Sequence, residues 1–276
     1  MAQRAAEEAG DEPLLVARRR VDGGVVALVT LNDPRRRNMM SPAMVEAITA
    51  AFDELEQDEE VGAVVVAASG PAFCAGADLG DLAQVSGAGG RTREEAATSL
   101  QAIYEGFLRV ARCPLPTVAA VGGPAVGAGM NLALSCDVRL VTEDARFECR
   151  FGQLGLHPGG GHTYLLSRLV GPEAAAVMLF CNEALRGREI VERRLAWRLV
   201  SAGDLVEEAV ALAGRAAAVP PALSVRMKAS LAAAPGHDSH EAAVRHELDA
   251  QVWSLFQPFF QERLAALQAR ISRRPE

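Results

Sequence analysis

The sequence predicts an α/β fold with a helical C-terminal region, and three observations carry that expectation. Two apolar runs, VGAVVVAAS (61–69) and LPTVAAVGG (115–123), are continuous rather than alternating, which marks strands buried on both faces, as in a parallel sheet. Between and around them, apolar residues recur at helical spacing in SPAMVEAITAAFDELEQD (41–58) and across 95–112. From residue 172 onward the chain reads as almost all helix.

The elements follow in order. LLVARRRV (14–21) and VVALVTLN (25–32) are two strands joined by DGG, a hairpin turn signal. DPRRRN (33–38) is a loop. The helix beginning at residue 41 has a Ser N-cap and Pro at its first position, where a missing N–H costs nothing. After the first buried strand comes a turn-rich segment, GPAFCAGADLGD (70–81), then a polar stretch, AQVSGAGGRTREE (83–95), expected to be mobile. After the second buried strand, PAVGAGMNLALSC (124–136) is expected to turn straight into a helix. DVRLVTEDARFE (137–148) supplies short strands, and LGLHPGGGHTYLLSRLVG (154–171) enters a helix near residue 160. The clearest of the C-terminal helical segments is LDAQVWSLFQPFFQERLAALQARI (248–271), which is long and carries aromatic residues. Residues 1–12 are expected to be disordered, 13–203 to form the α/β core and 204–276 a helical region of the same chain.

Composition narrows the function. The 276 residues are 50% hydrophobic and 23% charged, as in a globular protein, and the net charge of −7 disfavours nucleic acid or an anionic membrane as partner. No apolar run reaches the ~18–20 residues that span a bilayer. The opening MAQRAAEEAGDEP carries acids and lacks the apolar core of a signal peptide. Five cysteines without a CxxC pair read as reduced thiols, and the expected compartment is the cytoplasm. The 27 arginines accompany a single lysine, Lys228, a bias that reads as base composition rather than mechanism.

Several motifs fail on inspection. GAGMNL is not GxGxxG, no GxSxG elbow is present, and the two histidines of HPGGGH lack HExxH or a third ligand, so no metal site is expected. Both histidines are read as loop or helix-cap structure. Two glycine-rich turns remain, SGPAFCAGADL (69–79) and GGPAVGAGMNL (122–132), each directly after a buried strand. Small residues there let a ligand approach the backbone, and a helix starting at such a turn aims unpaired N–H groups at it. Two turns side by side can direct two N–H groups at one carbonyl oxygen, an oxyanion hole.

Here the sequence resembles the crotonase (enoyl-CoA hydratase/isomerase) superfamily over nearly its whole length. The match runs from VTLNDPRRRN through FCAGADL, VGGPAVGAGMNLALSCDVRLVTEDARF and LGLHPGGG to EIVERRLAWRLV. The resemblance implies a spiral of ββα units, a C-terminal helical region, homotrimers or hexamers, and acyl-CoA thioesters as substrate or ligand with no further cofactor. It places the oxyanion N–H groups on Ala77 and Ala128. It lines the coenzyme path with Ala75, Gly76, Asp78, Leu79 and Gly80, with Arg35, Arg36 and Arg37 near the phosphates and Lys228 as a basic contact from a C-terminal helix, reaching across a subunit boundary. Asp78 is also read as a stabiliser of its own turn.

The same resemblance exposes a departure. Hydratases of the superfamily hold a water between two glutamates, and the matching positions here are Asn131 and Phe151. An amide orients a water but takes no proton at neutral pH, and a phenyl ring does neither. General acid–base catalysis contributes ~10²–10⁴ per group, so ordinary hydration should be severely weakened. Glu148 and His157 are the candidate substitutes, although strand alternation sets Glu148 and Phe151 on opposite faces. Asp81 and Glu105 flank the acyl region. Asn131 itself is read either as a helix cap or as a ligand-facing group. The competing functions are an enzyme of the hydratase/isomerase type with a non-standard site, a malonyl-type CoA decarboxylase, and a non-catalytic acyl-CoA-binding protein.

Overall fold

In the computed structural model, residues 12–85 and 90–272 are described, so the expectation of disorder over 1–12 falls almost wholly outside the described residues. A larger sheet forms the frame. Its hairpin, β1 (Leu14–Val21) and β2 (Gly24–Leu31), pairs antiparallel in the register the DGG turn sets, Val21 opposite Gly24. Parallel to β2 run β3 (Val61–Ala68), β4 (Thr117–Val121), β6 (Val138–Val141) and β9 (Arg198–Leu199), in the order β1-β2-β3-β4-β6-β9. A smaller sheet holds β5 (Pro124–Val126), β7 (Arg146–Glu148) and β8 (Leu185–Arg186).

The continuous apolar runs are buried on both faces, as predicted. Along β3, Val64 and Val66 enter one core while Ala63 and Val65 enter the other. The first core is closed by α1 (Pro42–Gln57), whose Met44, Ile48, Phe52 and Leu55 are fully buried at helical spacing. Each contributes ~1.5–3 kcal/mol on leaving water. The Ser41 hydroxyl accepts from the Met44 N–H, the cap expected from SPAM. The second core is closed by α7 (Leu205–Ala217), packed on β2, β3 and β4.

Between the sheets the chain repeats one pattern. From β4 in the larger sheet it passes to β5 in the smaller and then to α4 (Ala128–Ser135). From β6 it passes to β7 and then to α5 (His162–Phe180). This is the ββα spiral. It corrects one expectation, since β5 intervenes where the chain was read as passing directly from strand to helix.

Further corrections concern boundaries. The stretch 83–95, expected to be mobile, is helical at both ends: α2 (Leu79–Val85) reaches into it, and α3 (Arg93–Ala111) starts behind a Thr92–Glu95 capping box, with residues 86–89 outside the described residues. The region after 172 is interrupted by β8 and β9, with α6 (Gly187–Glu192) between them. α8 (Pro221–Ala233) follows α7. The aromatic C-terminal segment is two helices, α9 (His240–Leu255) and α10 (Pro258–Ser272), because Pro258 lacks the N–H that would continue the first. No helix among the described residues is long and apolar enough to cross a membrane. All five cysteines are free, four of them buried and Cys181 exposed.

Candidate active site

The two glycine-rich turns meet because each lies at the C-terminal end of a strand in neighbouring layers. The segment after β3 is threaded against β5: Cys74 N–H donates to the Pro124 carbonyl at 3.1 Å, and Val126 N–H donates to the Cys74 carbonyl at 3.0 Å. On its other side, Ala75 N–H donates to the Arg37 carbonyl and Met40 N–H to the Gly76 carbonyl. Asn38 ties this loop down from within. Its buried amide donates to the carbonyls of Ser69 and Ala72 and accepts from Asp33 N–H. Sequence reasoning passed over Asn38, although an amide closing an arginine-rich loop was a visible signal.

Gly76 shows how close the turns come. Its φ is +94°, and a Cβ there would lie 2.7 Å from the Val126 carbonyl oxygen and 3.7 Å from the Ala128 nitrogen. Gly129 is still tighter, since a Cβ would lie 2.1 Å from the Cys74 carbonyl oxygen. Only hydrogen fits at either place, and the two main chains are therefore in contact. Ala128 is the first residue of α4, so its N–H has no acceptor within the helix. Among the described residues neither Ala77 N–H nor Ala128 N–H has an acceptor.

A cavity of about 200 Å³ opens on this junction. Ala75, Gly76, Ala77, Leu79, Ala128, Asn131, Phe151 and His157 all line it, together with an apolar wall from α2 and α3 that includes Leu82, Ile103 and Phe107. The structure thus brings both proposed amide positions together with Asn131, Phe151 and His157. Its ionisable lining groups are Tyr104, Cys149, Arg150 and His157, and no carboxylate is among the lining residues. The Tyr104 hydroxyl, held above its ordinary value by burial, accepts from the Gly160 backbone.

Other named residues lie elsewhere. Asp78 accepts from Gly80 N–H at 2.7 Å and from Arg36 Nη2 at 2.7 Å, bonds that hold its carboxyl below the ordinary value, so it does stabilise its turn. Of the arginine cluster, Arg36 stands beside Ala77 through Asp78, while Arg37 offers its carbonyl to Ala75 from a left-handed backbone. Within this chain the Lys228 Nζ donates to the Leu115 carbonyl at 2.8 Å and pairs with Asp137 at 2.7 Å, away from the lining of this chain's own cavity. Glu148 is likewise outside the lining. It is buried on β7 and held by Arg150 at 2.8 Å and Arg146 at 3.2 Å; the strand ends at Glu148 and Phe151 has helical backbone, so strand alternation does not relate the two. Asp81 faces a neighbouring hollow with Glu46 and Ser99, and Glu105 pairs with Arg112. His157 reaches the cavity edge, its Nδ1–H donating to the Pro158 carbonyl at 2.7 Å.

The largest correction concerns Asn131 and His162. Asn131 is no cap: α4 begins at Ala128 behind Gly127, without a side-chain cap bond. Its amide instead joins a buried chain. Nδ2–H donates to the Gly159 carbonyl at 3.1 Å, which turns Oδ1 toward His162 Nδ1 at 2.7 Å. His162 was read as loop or cap structure, yet it is 1% exposed, the first residue of α5, with its ring turned inward. Because Oδ1 only accepts, Nδ1 carries the proton, and the lone pair of Nε2 faces Cys149 Sγ at 3.1 Å. Burial pushes the His162 imidazole down to about 4 and the Cys149 thiol up to about 12, so both are neutral. Phe151 packs edge-on against the His162 ring, centroids 4.9 Å apart.

Residues 22–264 match the family model described as enoyl-CoA hydratase/isomerase. The chain belongs to that family. It is 45% identical over 250 residues to a probable enoyl-CoA hydratase of Mycobacterium tuberculosis, covering 89% of this chain and 94% of the relative. It is 29% identical over 247 residues to 4-chlorobenzoyl coenzyme A dehalogenase-2 of an Arthrobacter species, covering 89% and 88%. A solved enoyl-CoA hydratase of Mycobacterium smegmatis superposes with a TM-score of 0.82 at 32% identity, covering 95% of this chain and 98% of that one. Family membership therefore accounts for the fold, while the two relatives carry names of different reactions.

Proposed function

We propose that this family member processes acyl-CoA thioesters by holding the thioester oxygen on the Ala77 and Ala128 amides, without the carboxylate pair used for hydration. The observation that supports this is one cavity lined by both amide positions and by Asn131 and Phe151, with no carboxylate in its wall. Two fixed donors in an apolar wall stabilise a developing enolate or tetrahedral oxyanion, each by ~10²–10³ in rate, because they require no reorganisation as charge develops. Asn131 does not replace a glutamate. Its oxygen is occupied by His162 and one amide hydrogen by Gly159, leaving a single N–H for a ligand. The coenzyme would lie along Ala75–Gly80, with the Arg35–Arg37 loop supplying positive charge near Asp78. A homotrimer or hexamer is part of the same reading.

The test is a turnover panel with crotonyl-, 3-enoyl- and malonyl-type CoAs beside calorimetric binding of each. Tight binding with crotonyl-CoA hydration at least ~10²-fold below a carboxylate-bearing relative is the expected result. Turnover of the malonyl-type thioester alone would mark decarboxylation, in which loss of CO₂ leaves the enolate without a base. Binding with no turnover anywhere would mark a binding protein. Rapid hydration of crotonyl-CoA would overturn the proposal.

A further inference from the structure

The buried chain behind the cavity has an order that hydration does not call for: thiol, imidazole, amide. Cys149 Sγ lies 3.1 Å from His162 Nε2, and His162 Nδ1–H donates to Asn131 Oδ1 at 2.7 Å. The Gly159 carbonyl fixes the amide, the amide fixes the imidazole tautomer, and the tautomer leaves the basic nitrogen facing the thiol. Nucleophile within reach of a base, and base oriented by a third group, is the arrangement that activates a side chain for covalent catalysis.

Cys149 also stands beside the carbonyl end of the cavity. It is a lining residue. Gly127, immediately before Ala128, donates its N–H to the Glu148 carbonyl at 2.9 Å, and a Cβ on Gly127 would lie 3.7 Å from the Cys149 carbonyl oxygen. The main chain carrying the thiol is therefore in contact with the turn that presents the Ala128 amide.

From this geometry we infer that Cys149, His162 and Asn131 form an acyl-transfer site acting on the same acyl-CoA thioester, with water as the final acceptor. The inference rests on the proposed oxyanion hole. In the first step Cys149 Sγ attacks the thioester carbon, its proton passes to His162 Nε2, and the oxyanion forms against the Ala77 and Ala128 amides. The carbon–sulfur bond to the coenzyme then breaks, and the coenzyme leaves as a thiol with the proton from His162. In the second step water attacks the acyl-cysteine, gives one proton to His162, and Cys149 leaves as the thiol, releasing the carboxylic acid. Both groups are neutral at rest, so the proton moves only as the new bond forms, the manner of a hydroxyl nucleophile paired with imidazole.

Butyryl-CoA is the probe, since a saturated acyl group offers no site for conjugate addition, and Cys181→Ser in the full chain removes the exposed thiol. Intact-mass spectrometry is expected to show a gain of one butyryl group, mapped to the Cys149 peptide, with coenzyme thiol released. Cys149→Ala should abolish adduct and release, and His162→Gln should slow both by about 10²-fold or more while calorimetric binding of butyryl-CoA persists. Peptide mapping of the chain with native Cys149 and His162 gives the answer even if those variants fail to fold. Binding without an adduct, or coenzyme release unchanged in Cys149→Ala, overturns this inference and leaves the proposed function standing. Absence of binding overturns both.

Discussion

At the scale of single residues, the cavity is backed by a buried chain of neutral hydrogen-bonding groups. Asn131, His162 and Cys149 are each buried, and none is ionised near pH 7. That arrangement has a stability signature. The folded His162 titrates at about 4 against an ordinary value of 6.5, so between those values the unfolded chain binds a proton that the folded chain refuses. The contribution is complete above about pH 6.5 and is lost as pH falls toward 4, reaching about 3 kcal/mol. Urea unfolding from pH 7 to 4 should therefore show an acid limb that is shallower in His162→Gln than in the natural protein, and equal slopes would contradict the neutral buried imidazole. The reaction offers a second test. Asn131→Glu and Phe151→Glu together should raise crotonyl-CoA hydration above either change alone, because a water must be managed from both sides. The new carboxyl at 151 enters an apolar site that raises its pKa, so coenzyme binding must be verified for each variant. Gains that merely add would argue that the two positions do not share one water.

At the scale of elements, the critical part is the junction of the Cys74–Ala77 turn with α4. Gly129 lies in the first turn of that helix and abuts the Cys74 carbonyl. Adding a methyl there forces two main chains apart, and overpacking of this kind costs ~1–3 kcal/mol. Gly129→Ala should lower the denaturation midpoint and weaken acyl-CoA binding together, because the displaced main chains present Ala77 and Ala128. An unchanged midpoint would show that α4 shifts freely. Much of this level was legible from the residues. Continuous β-branched runs, a Ser–Pro helix start and paired glycine turns each report a local steric fact, and local facts survive in sequence. What was not legible depended on direction. His162 in a glycine-rich loop gives no sign that its ring turns inward, and Asn131 looks the same whether it caps α4 or bonds across to Gly159. The Lys228–Asp137 pair was hidden for the same reason, since its partners are far apart in the chain and no local pattern announces them.

At the scale of the whole molecule, the C-terminal helices stand out by their exposure. α9 and α10 bury none of their side chains fully among the described residues. Along α9, Val244, Leu248, Val252 and Leu255 fall at spacings of three and four and remain exposed, so an apolar stripe faces outward. Phe256, at 81% exposed, continues it, and across from it Met227 and Leu231 on α8 border a groove of about 730 Å³. Trp253 is the exception, covered by Phe259 and by Arg226 over its ring face at 4.0 Å. An exposed apolar surface of this extent supports the proposed contact between copies. Light scattering at micromolar concentration is therefore expected to give a mass several times that of one chain, in keeping with a trimer or hexamer. Leu231→Glu with Leu248→Glu should shift that mass to the monomer while circular dichroism stays native, since both side chains are more than half exposed in the single chain and contribute little to its own core. A natural protein that runs as a monomer at that concentration would assign the stripe and groove to a different ligand and remove assembly from the account.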